Sequence, residues 1–262
     1  MLPDHAETRP YAGGKMLAAK DDGVGLITFN QPEKRNAISM EMWTGLGDIL
    51  DEFSEDSSVS VVILTGAGNK AFVSGADISQ FEKNRNSADA QAAYDRANSV
   101  GRNKLIGFKK PVIARVRGFC MGGGLAIAMA TDLRIASADS QFGIPAARLS
   151  IAYAPDAVRR LIDLVGPAHA RMILYTAKRI DAAEAERIGL INKMTSEEAS
   201  LGESCDPATR RELFERAEDD AERLDRFIGN LLDMTQLESG KMTVKLGPIE
   251  VGEAVESALA RA

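Results

Sequence analysis

With 262 residues, 45% of them hydrophobic and 27% charged, the chain is long and apolar enough to bury a full globular core. A formal net charge of −6 argues against nucleic acid or an anionic membrane as a general partner. No apolar run reaches the ~18 residues that span a bilayer, and Cys120 and Cys205 stand far apart without ligand spacing, so reduced thiols and a cytoplasmic setting are expected.

Residues 1–14 carry no basic-then-apolar leader pattern and read as a flexible lead. Residues 16–20 and 24–30 read as strands joined through Asp21-Asp22-Gly23, a hairpin turn signal. Ser39 is placed to cap a helix through Met42, Leu46, Ile49, Leu50 and Phe53, which recur at helical spacing. An apolar run at 59–65, ended by Gly66-Ala67-Gly68, reads as a buried strand. A polar stretch over 82–89 reads as a loop before a helix over 90–108 that stops short of Pro111. Next come a strand at 112–117, a glycine triplet, a helix at 125–130 and a strand at 133–136. Helices at 155–165, 167–176 and 182–188 and a short strand at 190–192 complete an α/β module. From Asp206-Pro207 the pattern changes to one long amphipathic helix ending near Ser239-Gly240. Two short strands around Gly247-Pro248 and a last helix from Glu253 follow.

Four glycine-centred segments stand out: Arg35-Asn36-Ala37-Ile38-Ser39, Ser74-Gly75-Ala76-Asp77-Ile78, Gly122-Gly123-Gly124 and Phe142-Gly143-Ile144-Pro145. A glycine lets backbone approach a ligand closely, and an N–H at a helix start has no partner inside the helix. Gly123 fits that description, and Ala76 lies in a loop between an apolar segment and a short helix. If the two loops converge, their N–H groups grip one carbonyl oxygen as it becomes an oxyanion.

Residues 15 to about 194 resemble the crotonase (enoyl-CoA hydratase/isomerase) superfamily. The resemblance rests on Asn30-Gln31-Pro32 with Lys34-Arg35-Asn36-Ala37, on the run from Ala71 to Ile78, and on Gly118-Phe119-Cys120-Met121-Gly122-Gly123-Gly124. It continues through Asp132-Leu133-Arg134-Ile135-Ala136, Phe142-Gly143 and Leu164-Val165-Gly166-Pro167. It implies a spiral of ββα units, with the N–H groups of Ala76 and Gly123 as the oxyanion hole. It also implies a coenzyme A thioester as substrate, held by Lys34, Arg35, Ala37, Ser74, Ala76, Asp77 and Ile78. A homo-oligomer, trimer or hexamer, and no tightly bound cofactor are further expectations of the resemblance, and no cluster of His, Cys or carboxylates in the sequence has metal-ligand spacing. Asp77 and Asp132 are read as structural carboxylates that accept backbone N–H groups at turns.

Two departures matter. Hydratases of this superfamily carry one glutamate two residues after the glycine triplet and another after the Phe-Gly-x-Pro turn; here those places are Ala126 and Ala146. General acid–base help contributes about 10²–10⁴-fold per group, so ordinary hydration by paired glutamates is not expected. Tyr153 stands where decarboxylating members carry a tyrosine near the acyl group, which suggests a methylmalonyl-CoA-decarboxylase-like alternative. A core tyrosine with a satisfied hydroxyl is the competing reading.

The second departure is the tail. Residues 199–262, with the run Asn230-Leu231-Leu232-Asp233-Met234, resemble the second dimerisation helix of a potassium-sensing-type sensor histidine kinase. No histidine follows His169, so no kinase activity is expected of the tail. The alternative to an enzyme is then an inactive chimera whose tail mediates self-association.

Overall fold

A computed structural model describes residues 8–21, 23–77 and 88–195. The chain divides into two units, Met1–Glu197 and Glu198–Ala262, and the described residues all belong to the first. The expected helix at 206–239, the hairpin after it and the terminal helix lie outside the described residues.

The described residues start with β1 (Thr8–Tyr11), β2 (Met16–Asp21) and β3 (Val24–Phe29), an antiparallel meander in which Tyr11 pairs with Met16 and Met16 with Phe29. The hairpin at Gly23 is therefore as read from the sequence. The expected flexible lead is corrected for residues 8–14, which form β1 and a short 3-10 turn, while residues 1–7 lie outside the described residues. Their side chains are mostly exposed, so no apolar period marks the strand; ladder hydrogen bonds to β2 hold it instead.

Helix α1 (Met40–Glu55) follows. Ser39 caps it by accepting the Met42 N–H at 3.3 Å, satisfying one of the free donors of the first turn. Its inner face buries Met42, Trp43, Leu46, Ile49, Leu50 and Phe53, each contributing about 1.5–3 kcal/mol of transfer free energy.

A repeating unit then builds two sheets at once. β4 (Val61–Gly66), β6 (Val112–Val116) and β8 (Leu133–Ser137) enter the large sheet, in the order β1-β2-β3-β4-β6-β8-β11, parallel from β3 onward. Each is followed by a three-residue strand that enters a small sheet: β5 (Ala71–Val73), β7 (Phe119–Met121) and β9 (Gln141–Gly143). These lie in the order β5-β7-β9-β10, the first three parallel. After each short strand comes a helix: α2 (Ala88–Ile106), α3 (Gly123–Met129) and α4 (Ala146–Leu149). This is the α/β spiral of ββα units expected from the sequence.

Helix α5 (Pro155–Thr176) is interrupted at Gly166 (φ 74°, ψ 164°), next to Pro167, where the sequence reads as two helices. β10 (Ile180–Asp181), α6 (Ala182–Arg187) and β11 (Lys193–Thr195) close the described module. The last strand lies three residues beyond the expected 190–192. Leu190 and Ile191 are side-chain anchors in the core, and Asn192 makes the join: its N–H donates to the Arg134 carbonyl at 2.9 Å and its Oδ1 accepts the Arg134 N–H at 2.8 Å. Among the described residues no helix is long and apolar enough to cross a membrane.

Candidate active site

β5 and β7 end where the second and third glycine segments begin and β9 runs into the fourth, so the small sheet brings these three together. The 34–38 segment is laced to the 74–77 loop by main-chain bonds. Ser74 N–H donates to the Arg35 carbonyl at 3.1 Å, Ile38 N–H to that of Gly75 at 2.8 Å, and Asp77 N–H to that of Ile38 at 2.9 Å. The third and fourth segments meet likewise, with Gly122 N–H donating to the Gly143 carbonyl at 2.9 Å.

Asn36 is the lock on the first segment. Its side chain is fully buried; Oδ1 accepts the Gln31 N–H at 2.9 Å, and Nδ2 donates to the carbonyls of Ala67 at 3.0 Å and Ala71 at 2.8 Å. Arg35 and Asn36 both hold left-handed backbone (φ 53° and 56°), which asparagine tolerates better than most residues. Asn36→Ala removes all three bonds and strands buried partners, so a loss of about 3 kcal/mol is expected, read as a lower urea midpoint at unchanged slope.

Glycine is required where the third segment packs on the end of β5. A Cβ on Gly124 would lie 2.0 Å from the Val73 carbonyl oxygen. Gly122 sits at φ 52°, ψ −115°, at the N-terminus of α3. In this arrangement the Gly123 Cα faces the second loop: a Cβ there would stand 3.9 Å from the Ala76 nitrogen. Among the described residues neither the Ala76 nor the Gly123 N–H has a hydrogen-bond acceptor. Two unpaired main-chain donors thus lie on adjoining backbone segments.

The other expected site residues fall into three groups. Lys34 Nζ pairs with Asp77 Oδ2 at 2.8 Å; the bond to this nearly buried carboxylate raises the lysine's pKa above its ordinary value. The Ser74 hydroxyl lies 3.4 Å from the Lys34 carbonyl, and Ala37 sits one residue before the Ile38–Ala76 bridge. Ile78 lies outside the described residues. Asp132 is structural, its Oδ2 accepting the Val112 N–H at 2.7 Å.

Tyr153 comes to the site with its hydroxyl engaged, donating to the Gly122 carbonyl at 2.9 Å. Burial, and secondarily the neighbouring Cys120, pushes its phenol far above the usual tyrosine range, so it stays a protonated donor. Cys120 is itself buried, and burial raises its thiol well above the ordinary value, which fits an inert core residue. Ala126, on α3, and Ala146, opening α4, are each 7% exposed and part of the apolar core. Among the described residues no group of His, Cys, Asp and Glu is placed to hold a metal ion.

Arg179 is a neighbour that sequence reasoning missed. Its guanidinium lies 5.1 Å from the Phe119 ring centroid, and that of Arg35 lies 5.4 Å from the same ring. Arg179 precedes β10 and is far from the glycine segments in sequence, so no local pattern marks it.

The profile of the enoyl-CoA hydratase/isomerase family matches residues 19–235. This chain belongs to that family. The short-chain-enoyl-CoA hydratase of Clostridium acetobutylicum is 41% identical over 179 residues, 68% of each chain. The crotonyl-CoA hydratase of Syntrophomonas wolfei is 37% identical over 188 residues, 72% of each. Among solved structures, an enoyl-CoA hydratase/carnithine racemase from Magnetospirillum magneticum superimposes with a TM-score of 0.71 at 28% identity, covering 93% of this chain and 86% of that one.

These relatives correct one expectation. Ala126 and Ala146 speak against ordinary hydration on chemical grounds, yet the relatives similar to this chain are named as hydratases. The absence of carboxylates at those two places is no ground for setting hydration aside. The family match also runs past residue 194, where the resemblance read from motifs stops.

Proposed function

We propose that this family member binds acyl-CoA thioesters and performs hydratase-type chemistry on an enoyl thioester, with the N–H groups of Ala76 and Gly123 as its oxyanion hole. The observation that carries the reading is the pair of unpaired donors brought together from two loops. Lys34, Arg35, Ala37, Ser74, Asp77 and Ile78 are the proposed coenzyme A contacts, the first five on two segments laced to each other.

In this reading the thioester oxygen sits between the two N–H groups. Water adds to the β-carbon, the π pair moves to the α-carbon and carbonyl, and negative charge collects on the oxygen that the donors face. The adding water gives up a proton to solvent, and the α-carbon takes one back, restoring the carbonyl. Nothing at positions 126 and 146 carries these protons, so polarisation of the thioester is the main catalytic device. Decarboxylation through Tyr153 has no comparable support, since its proton is already given to Gly122.

A homo-oligomer in the cytoplasm is part of the proposal. Large apolar side chains stand exposed at Leu149, Ile151, Met172 and Tyr175, surface that a partner copy would cover. The kinase-like reading of 199–262 and the self-associating chimera rest on sequence resemblance alone, and the family match through residue 235 favours an origin within the family for the first part of that stretch.

Titration calorimetry with butyryl-CoA tests binding, and loss of the enoyl absorbance of crotonyl-CoA tests turnover. Heat of binding together with water addition is expected. No heat at millimolar butyryl-CoA would sink the reading.

A further inference from the structure

The carbonyl that accepts the Tyr153 hydroxyl is not an arbitrary one. The Gly122 oxygen belongs to the same peptide unit as the Gly123 N–H. That oxygen accepts two bonds, from Tyr153 Oη at 2.9 Å and from the Ala126 N–H at 3.1 Å. No peptide bond is cis among the described residues, so the C=O and N–H of this unit point in opposite directions. Drawing the oxygen toward Tyr153 therefore turns the Gly123 N–H the other way, away from the Tyr153 hydroxyl.

A peptide between two glycines has little steric restraint of its own. Neither neighbour carries a Cβ, and Gly122 already sits in the positive-φ region open to glycine. Rotation of the unit would present the carbonyl oxygen to the thioester, repelling the charge that the N–H is meant to receive. A donor on the far side of the unit prevents that rotation. It also polarises the amide, because hydrogen bonds in series strengthen one another.

Tyr153 is held where it can do this. It lies just before α5, its ring packs against the core, and its hydroxyl stays protonated because burial disfavours the phenolate.

We infer that Tyr153 is a positioning residue, whose hydroxyl fixes and polarises the Gly122–Gly123 peptide so that the Gly123 N–H faces the thioester oxygen. The inference rests on the oxyanion-hole reading of the site.

The test is the infrared carbonyl band of carbon-13-labelled butyryl-CoA bound to the native protein and to Tyr153→Phe, with kinetics on crotonyl-CoA alongside. The native protein is expected to move the bound carbonyl to lower frequency. Tyr153→Phe is expected to lose a substantial part of that shift and to lower kcat about tenfold, the effect of one hydrogen bond, while KM stays within about twofold. Site-specific 3-fluorotyrosine at position 153, a stronger donor of the same shape, is expected to increase the shift. An unshifted carbonyl in the native protein would remove the oxyanion hole, and this inference with it. A native shift that Tyr153→Phe leaves intact would overturn the inference alone. If the phenylalanine variant does not fold, the fluorotyrosine protein decides, and a band identical to the native one counts against the proposal.

Discussion

Ala126→Glu combined with Ala146→Glu is expected to raise the hydration rate of crotonyl-CoA at least about 10²-fold, with up to about 10⁴-fold available for each well-placed group. Both positions flank the oxyanion pair: Ala126 bonds through its N–H to the Gly122 carbonyl, and Ala146 directly follows Pro145, which lies against Gly122. A carboxylate at either place would hand protons to and from the reacting carbons instead of leaving this to solvent. Both positions are nearly buried, so desolvation would hold a new glutamate above the ordinary carboxylate range. The variant should therefore gain an acidic limb in its pH–rate profile that the native protein lacks. A steady-state assay across pH, with the single variants as controls, makes the comparison. An unchanged rate in a folded double variant would mean that bond formation to water is not limited by proton transfer here.

Gly123→Pro should have the opposite effect, lowering kcat by about 10²–10³-fold, the usual consequence of deleting one oxyanion donor. Position 123 is the first residue of α3, where proline is well tolerated because its missing N–H has no partner in the helix. Gly122, at φ 52° and ψ −115°, holds the mirror image of the extended region that residues before proline favour, and a glycine can keep it. The substitution therefore removes the hydrogen and puts the ring Cδ in its place, so the donor and the space in front of it are lost together. Gly123→Ala is the control: it keeps the N–H, and its Cβ meets only ordinary contacts at 3.9 Å. Equal loss in both variants would point to crowding and not to the donor. Activity retained in Gly123→Pro would remove Gly123 from the proposed hole.

Much of the scaffold is legible in the residues alone, because it depends on local signals. The hairpin at Gly23, the Ser39 cap and the break at Gly166-Pro167 each follow from a turn, a capping side chain or a pairing of breakers. The three-residue strands β5, β7 and β9 are too short to show a period of two, so what marks them in the sequence is the glycines that follow. β1 carries no apolar alternation because its side chains are mostly exposed. Within the site, the glycine segments identify Ala76 and Gly123 because those residues sit inside them. Asn36 can be seen in its motif, but its three bonds cannot, since they reach residues as far as 35 positions away. The bond from Tyr153 to Gly122 spans 31 positions and is equally invisible. Arg179 reaches Phe119 only through the return of the chain near β10.

The donors proposed to face the thioester belong to the main chain, while the places for proton carriers belong to side chains on the neighbouring helices. Amide groups are outside the reach of point mutation except through proline, whereas a side chain changes with a single codon. Some alanine codons are one base from glutamate, so acquiring or losing a proton carrier at 126 or 146 takes little genetic distance. The frame is in this sense hereditary capital, and the reaction run on it is the part that a lineage is free to revise.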